Sequence, residues 1–143
     1  MKYQFLFLCL FVLVQDGLSA MSEKQMAATK RLIRNTCINK VGVTPEKVDA
    51  MHKGDFDFND KSIMCYTHCI LMTYKLMTKD NSFDWEEGIK VIEANAPASL
   101  AKTAVHSFKS CKNSVKTKDN KCKAALEIAK CLYDDDPPNY FLP

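Results

Sequence analysis

The chain has 143 residues, with 20 Lys and Arg against 17 Asp and Glu and a net charge of +3. By length this is one domain, able to bury about two-thirds of its unfolded surface and so to hold a real core. The basic excess is too small, and too interspersed with acids, for a nucleic-acid-binding surface.

Lys2 supplies a positive start, and the run that follows is almost unbroken in apolar residues, with Leu6, Phe7, Leu8, Leu10, Phe11, Val12 and Leu13. A polar break at Gln15, Asp16 and Gly17 leads to Leu18, Ser19 and Ala20. A run this short, ending in small residues, reads as a secretory signal peptide over residues 1–20 rather than a membrane span. Cleavage after Ala20 is expected, with Ser19 the alternative because Leu18 is bulky for the third position before the cut. Removal takes away Lys2 and Asp16 together, so the net charge stays where it was. No later segment is apolar for long enough to span a bilayer. The expected product is a secreted, extracellular domain over residues 21–143, ending in a tail over residues 132–143.

Six helical segments follow in chain order. Ser22 caps the first, which carries Met26, Ile33 and Cys37 along one side and ends near Asn39 and Lys40. Thr44, Pro45 and Glu46 form a start signal for the second, with Thr at the cap, Pro in the first turn and an acid beside it. This helix presents Val48 and Met51 and stops at Gly54. After the acidic and aromatic loop from Asp55 to Phe58, a third helix opens at Asn59 or Asp60 and runs to Met77. One of its stripes reads Ile63, Tyr66, Ile70, Tyr74, Met77 and another reads Cys65, Cys69, Met72, Leu76; apolar on so much of its girth, it belongs at the centre of the fold.

Ser82 or Asp84 opens a fourth helix with Trp85, Ile89 and Ile92, interrupted by Gly88 and ended before Pro97. A fifth spans about 99–116 with Leu100, Ala104, Val105, Phe108 and Cys111. Asp119 or Asn120 caps a sixth with Cys122, Ala125, Leu126, Ala129 and Leu132. From Asp134 onward the chain is a tail that Pro137 and Pro138 keep out of a helix. No strand-like alternation and no internal repeat is present, so the fold class is all-α.

Of the seven cysteines, Cys9 leaves with the signal peptide. Cys37, Cys65, Cys69, Cys111, Cys122 and Cys131 remain, and an even number in an exported chain argues for disulfides, with fifteen possible connectivities. A zinc site is disfavoured: there is no Cys-x-x-Cys pair, and only His68 lies near a cysteine pair. Cys65 and Cys69 are separated by about 40° around a helix, so their side chains run side by side and each should take a different partner. Cys122 and Cys131 are separated by roughly 900°, which places them on opposite sides of the last helix.

The pattern Cys37-x27-Cys65-x3-Cys69-x41-Cys111-x10-Cys122-x8-Cys131, carried on six helices, resembles the insect pheromone and general odorant-binding proteins. The Cys65-x3-Cys69 and Cys122-x8-Cys131 spacings are its most specific part, and helix number and order agree over residues 21–143. The resemblance implies bridges Cys37–Cys69, Cys65–Cys122 and Cys111–Cys131, and helices converging on an apolar pocket that carries odorants, pheromones or related semiochemicals through aqueous lymph. An odorant receptor is the partner such a carrier implies, and a monomer or weak homodimer is its expected state. Hiding ~300 Å² of ligand surface is worth roughly 7 kcal/mol before association costs, which leaves affinity on the order of micromolar. A non-olfactory carrier of lipids or amines, or a helical signalling factor, is the alternative.

Periodicity nominates Met64, Tyr66, Ile70, Met72, Tyr74 and Met77 on the third helix, with Trp85, Leu100, Val105 and Phe108, as pocket walls. Methionine suits an irregular pocket, and equally an ordinary core. His52, His68 and His106 are the side chains that titrate near neutral pH. Catalysis is not indicated: there is no Gly-x-Ser-x-Gly elbow, no phosphate loop and no His-Glu-x-x-His. His68 beside Cys69 lacks the Asp that a secreted phospholipase would place after it. No cofactor or metal is expected.

The tail is apolar at its end. Asp134, Asp135 and Asp136 are unfavourable near a helix C-terminus and bias the chain to leave the helix axis there, while Pro137 and Pro138 hold it extended. Tyr140, Phe141 and Leu142 are then expected to fold back over the pocket mouth, as tails do in some members of the resembled family. Protonation of the aspartates or of a facing histidine would shift that lid. The alternative is a frayed terminus.

Overall fold

The computed structural model describes residues 20–143. The signal peptide expected over residues 1–20 therefore lies, Ala20 apart, outside the described residues. Six α-helices follow in order: α1 Glu23–Val41, α2 Pro45–Met51, α3 Lys61–Thr73, α4 Trp85–Asn95, α5 Ala98–Ser110 and α6 Lys121–Asp135. A short 3-10 turn covers Pro137–Asn139. Extended pairing among the described residues is confined to one antiparallel bridge between Met77 and Phe83, so the fold is all-α.

The helix starts follow local chemistry. Ser22 and Gln25 form a reciprocal capping box, each side chain accepting from the other's backbone N–H and satisfying donors that a helix start leaves free. Asp60, Asp84 and Asn120 cap α3, α4 and α6 through their side chains. Thr44 stands at the start of α2 but makes no side-chain cap bond; Pro45 and the acidic Glu46 in the first turn mark that start. Gly42 closes α1 at φ 75°, a left-handed conformation that costs glycine nothing.

Three boundaries depart from the sequence expectation. α3 ends at Thr73, four residues before Met77. Lys75 takes φ 57°, and the chain doubles back through a turn in which Thr78 and Ser82 both bond Asp80. Side-chain hydrogen bonds of this kind compete with helix continuation. α5 ends at Ser110, not near Lys116. The amides of Lys116 and Thr117 instead donate to Glu127 on α6, which pins the connecting segment to that helix.

The third departure concerns the acids at the end of α6, which do not break it. The helix runs to Asp135: Lys130 pairs with Asp134 one turn on, at 2.6 Å, and Asp135 accepts from Ser107 of α5 at 2.7 Å. These partners offset the unfavourable macrodipole, so the exit falls at Asp136. Pro137 and Pro138 then enter a 3-10 turn instead of an extended stretch, with Asn139 N–H donating to Asp136.

α3 is the central helix, packing on α6 and α1, while α4 and α5 pair beside it. Tyr66, Ile70 and Leu71 of α3 and Leu126, Ile128 and Leu132 of α6 are fully buried. Three disulfides join the layers: Cys37–Cys69 ties α1 to α3, Cys65–Cys122 ties α3 to α6, and Cys111–Cys131 ties the end of α5 to α6. Cys65 and Cys69 thus take different partners, as their spacing on one helix requires, and α6 is held from two sides.

Candidate ligand-binding site

Between the α4–α5 pair and the start of α1 lies a cavity of about 130 Å³. One wall is a stripe of α4: Gly88, Val91, Ile92, Asn95 and, just past the helix end, Ala96. These positions fall at i, i+3, i+4, i+7 and i+8, the spacing of a single helix face. Met21, Met26 and Thr29 close the cavity from the first segment, Tyr74 and Leu76 from the turn after α3, and Leu100 and Phe108 from α5. Phe141 of the tail completes it. The lining is almost wholly carbon and carries no Lys, Arg, His, Asp or Glu. Its polar side chains are Thr29, Tyr74 and Asn95, and Asn95 Nδ2 is engaged with the Val91 carbonyl at 2.8 Å. Burial pushes the Tyr74 phenol up to about 12.

Gly88 is where α4 comes closest to its neighbours. A Cβ at this position would lie 2.6 Å from Leu76 Cδ2 and 2.9 Å from Phe108 Cε2. The interruption that glycine makes in the helical pattern is therefore a close-approach position.

The tail folds inward. Phe141 and Leu142 are buried. Phe141 stacks edge-on against Phe108, with ring centroids 5.4 Å apart, and Phe108 in turn against Phe83 at 5.5 Å. Tyr140 sits among His52, Phe56 and Tyr133. The Tyr66 hydroxyl donates to the backbone oxygen of Pro143 at 2.7 Å. On the outer side of Phe141 an open vestibule of about 340 Å³ is bounded by Glu23, Lys30, Ser99, Thr103 and Tyr140. Met26, Leu100 and Phe141 line both spaces and separate them.

Of the residues nominated from periodicity, Tyr74, Leu100 and Phe108 line the cavity. Met64, Tyr66, Ile70 and Met77 are buried in the packed core instead. Met72 is half exposed, at 49%, and Trp85 and Val105 are half-buried outside the lining. The stripe Ile63, Tyr66, Ile70, Tyr74 is real, but its first three members are buried in the packed core, and only Tyr74, past the end of α3, reaches the cavity. The α4 stripe from Gly88 to Ala96 was the missed signal.

The histidines divide. Burial, then the positive charge of Arg34, lowers His52. His68 is lowered by burial and by Lys121 and Lys40. His106 is exposed, 4.0 Å from Asp135.

An all-helical, disulfide-joined chain around a carbon-lined cavity is the architecture of a small-molecule binding protein. The sequence profile of the PBP/GOBP family matches residues 19–135, and the chain belongs to that family. It is 37% identical to odorant binding protein 4 of Chrysopa pallens, with a TM-score of 0.77 over 86% of this chain and 99% of that one. Odorant binding protein 5 of Apis mellifera is 26% identical, with a TM-score of 0.78 over 87% of this chain and 100% of the other. General odorant-binding protein 72 of Anopheles gambiae is 25% identical over 122 residues, 85% of this chain and 99% of its own length.

Proposed function

We propose that this protein is a secreted, non-enzymatic carrier of small hydrophobic molecules of the odorant kind, which it holds in the cavity between α1, α4 and α5. The observation that carries this reading is the uncharged, carbon-lined cavity in a chain of the odorant-binding family. Three disulfides let helices stand apart around a space that packing alone would tend to close. Export rests on the signal peptide read over residues 1–20. Among the described residues no helix is long and apolar enough to cross a membrane. Delivery to an odorant receptor through sensillar lymph, by a monomer or weak homodimer, is the role this reading assigns.

Tyr140, Phe141 and Leu142 act in this scheme as a lid that governs release. The docked tail and its Tyr66–Pro143 hydrogen bond support that role. Equilibrium dialysis against a panel of neutral volatile alcohols, esters and terpenoids tests the carrier. Binding on the order of micromolar is expected, lost when the disulfides are reduced; failure to bind any member overturns it. Truncation before Pro137 tests the lid: faster release with unchanged helix content is expected, and unchanged off-rates at neutral and acid pH reduce the tail to packing.

A further inference from the structure

Phe141 forms the wall between two spaces of different chemistry. On its inner side is the cavity of about 130 Å³ without a charged side chain; on its outer side is the vestibule of about 340 Å³ bounded by Glu23, Lys30, Ser99 and Thr103. We propose that Phe141 and Gly88 together set ligand size, so that with the tail docked the protein selects compact, neutral molecules of about one ring and rejects long chains. This inference rests on the carrier reading and specifies its ligand class.

A dry apolar cavity of about 150 Å³ takes up benzene with room to spare, and the space here, about 130 Å³, is of the size for one ring with a small substituent. A fourteen-carbon chain exceeds it and must enter the vestibule, which Phe141 prevents. Phe141 is 9% exposed and stacked on Phe108, so admitting a long chain requires breaking that contact. On the opposite side, Gly88 keeps the cavity open by lacking a Cβ. An added methyl would meet Leu76 and Phe108 at 2.6 and 2.9 Å, and the two side chains that must shift both line the cavity. Charge is selected against because no lining residue could pair with it, and a buried unpaired ion is strongly unfavourable.

If Phe141 is replaced by a small residue, Met26 and Leu100 alone cannot divide the two spaces. The joined space is long, carbon-lined at its inner end and polar at its outer end. It suits a chain with a hydroxyl head, which Ser99 or Thr103 would then face.

Calorimetric titration of the full mature protein with benzyl alcohol, hexanol and tetradecanol tests this, with benzylamine as the charged comparison. Wild type should favour benzyl alcohol over tetradecanol, and over benzylamine, by about tenfold or more, the range that pocket fit commands. Phe141→Ala should strengthen tetradecanol binding by about tenfold and weaken benzyl alcohol. Gly88→Ala should weaken benzyl alcohol most. Phe141→Leu, which thins the same partition, provides the second variant should Phe141→Ala lose helix content. Wild type that takes tetradecanol as tightly as benzyl alcohol overturns size selection and leaves the carrier reading standing. A chain-length profile unchanged in a folded partition variant overturns the role of Phe141. Binding of none of the alcohols by wild type overturns both readings.

Discussion

The hydroxyl of Tyr66, at the middle of the central helix, donates to the backbone oxygen of Pro143, 77 positions away, at 2.7 Å. Tyr66 is fully buried, and burial raises its phenol far above the usual range, so it is a neutral donor at any physiological pH. Tyr66→Phe leaves the Pro143 oxygen without this donor at almost unchanged volume. The expected result is a loss of about 1–2 kcal/mol, read by urea denaturation, with native helix content and faster ligand release. An off-rate equal to wild type would separate the tail from the pathway of release.

Tyr140 presents the reverse case. Its hydroxyl is buried and has no hydrogen-bond partner among the described residues, while its ring packs against Phe56, Tyr133 and His52. Tyr140→Phe keeps the ring contacts and removes the unsatisfied oxygen. The variant should be more stable by about 1 kcal/mol, with the midpoint of thermal unfolding moving up. A drop in the midpoint would show that the hydroxyl is bonded in solution.

Disulfide removal should follow loop length. Cys65–Cys122 spans a sequence separation of 57, against 32 for Cys37–Cys69 and 20 for Cys111–Cys131. Loop-closure entropy assigns it the largest effect, about 4 kcal/mol, against about 3 kcal/mol for the shortest. Paired Cys→Ala variants, compared by urea midpoints, should rank in that order.

Stability should fall with acid in two stages. His52 and His68 are both lowered from 6.5, so the unfolded chain binds protons more readily, and the stability they contribute is full above about pH 6.5 and declines below it. Asp60 is held far below the carboxylate range, first by Lys47 and then by Ser62. Its contribution is full above about pH 4 and is lost on further acidification. His52→Gln should shallow the first stage and leave the second. Urea midpoints measured from pH 7 to pH 3 distinguish the two.

Much of the scaffold was legible because local chemistry decides it. The side chains of Ser22, Asp60, Asp84 and Asn120 mark helix starts by satisfying backbone donors, and the four-residue step from Cys65 to Cys69 demands two different partners. Helix ends were harder where distant groups decide them. α3 stops at Thr73 because the following turn is held by Asp80, and α6 continues through Asp134 and Asp135 because Lys130 and Ser107 receive them. The cavity was the least legible part. Periodicity marks which face of a helix is covered, and Tyr66 and Tyr74 share a face; it cannot tell whether packed side chains or open space stand opposite. Gly88 looked like a helix defect because its reason for being glycine lies in Leu76 and Phe108.

Met21 and Phe141 line the same cavity, and the Met21 amide donates to the Asn95 carbonyl at its edge, at 2.8 Å. The first and last segments of the described chain therefore meet at this cavity. Pro143 is buried as well. A purification tag is usually placed where a chain is remote from function, and neither Met21 nor the Phe141 segment is remote from the cavity. An extension before Met21 would start from a residue bonded to the end of α4, and one after Pro143 would have to leave from a buried residue beside Tyr66. Affinities measured on protein tagged at either position and on untagged protein should differ, and with them any ranking of ligands.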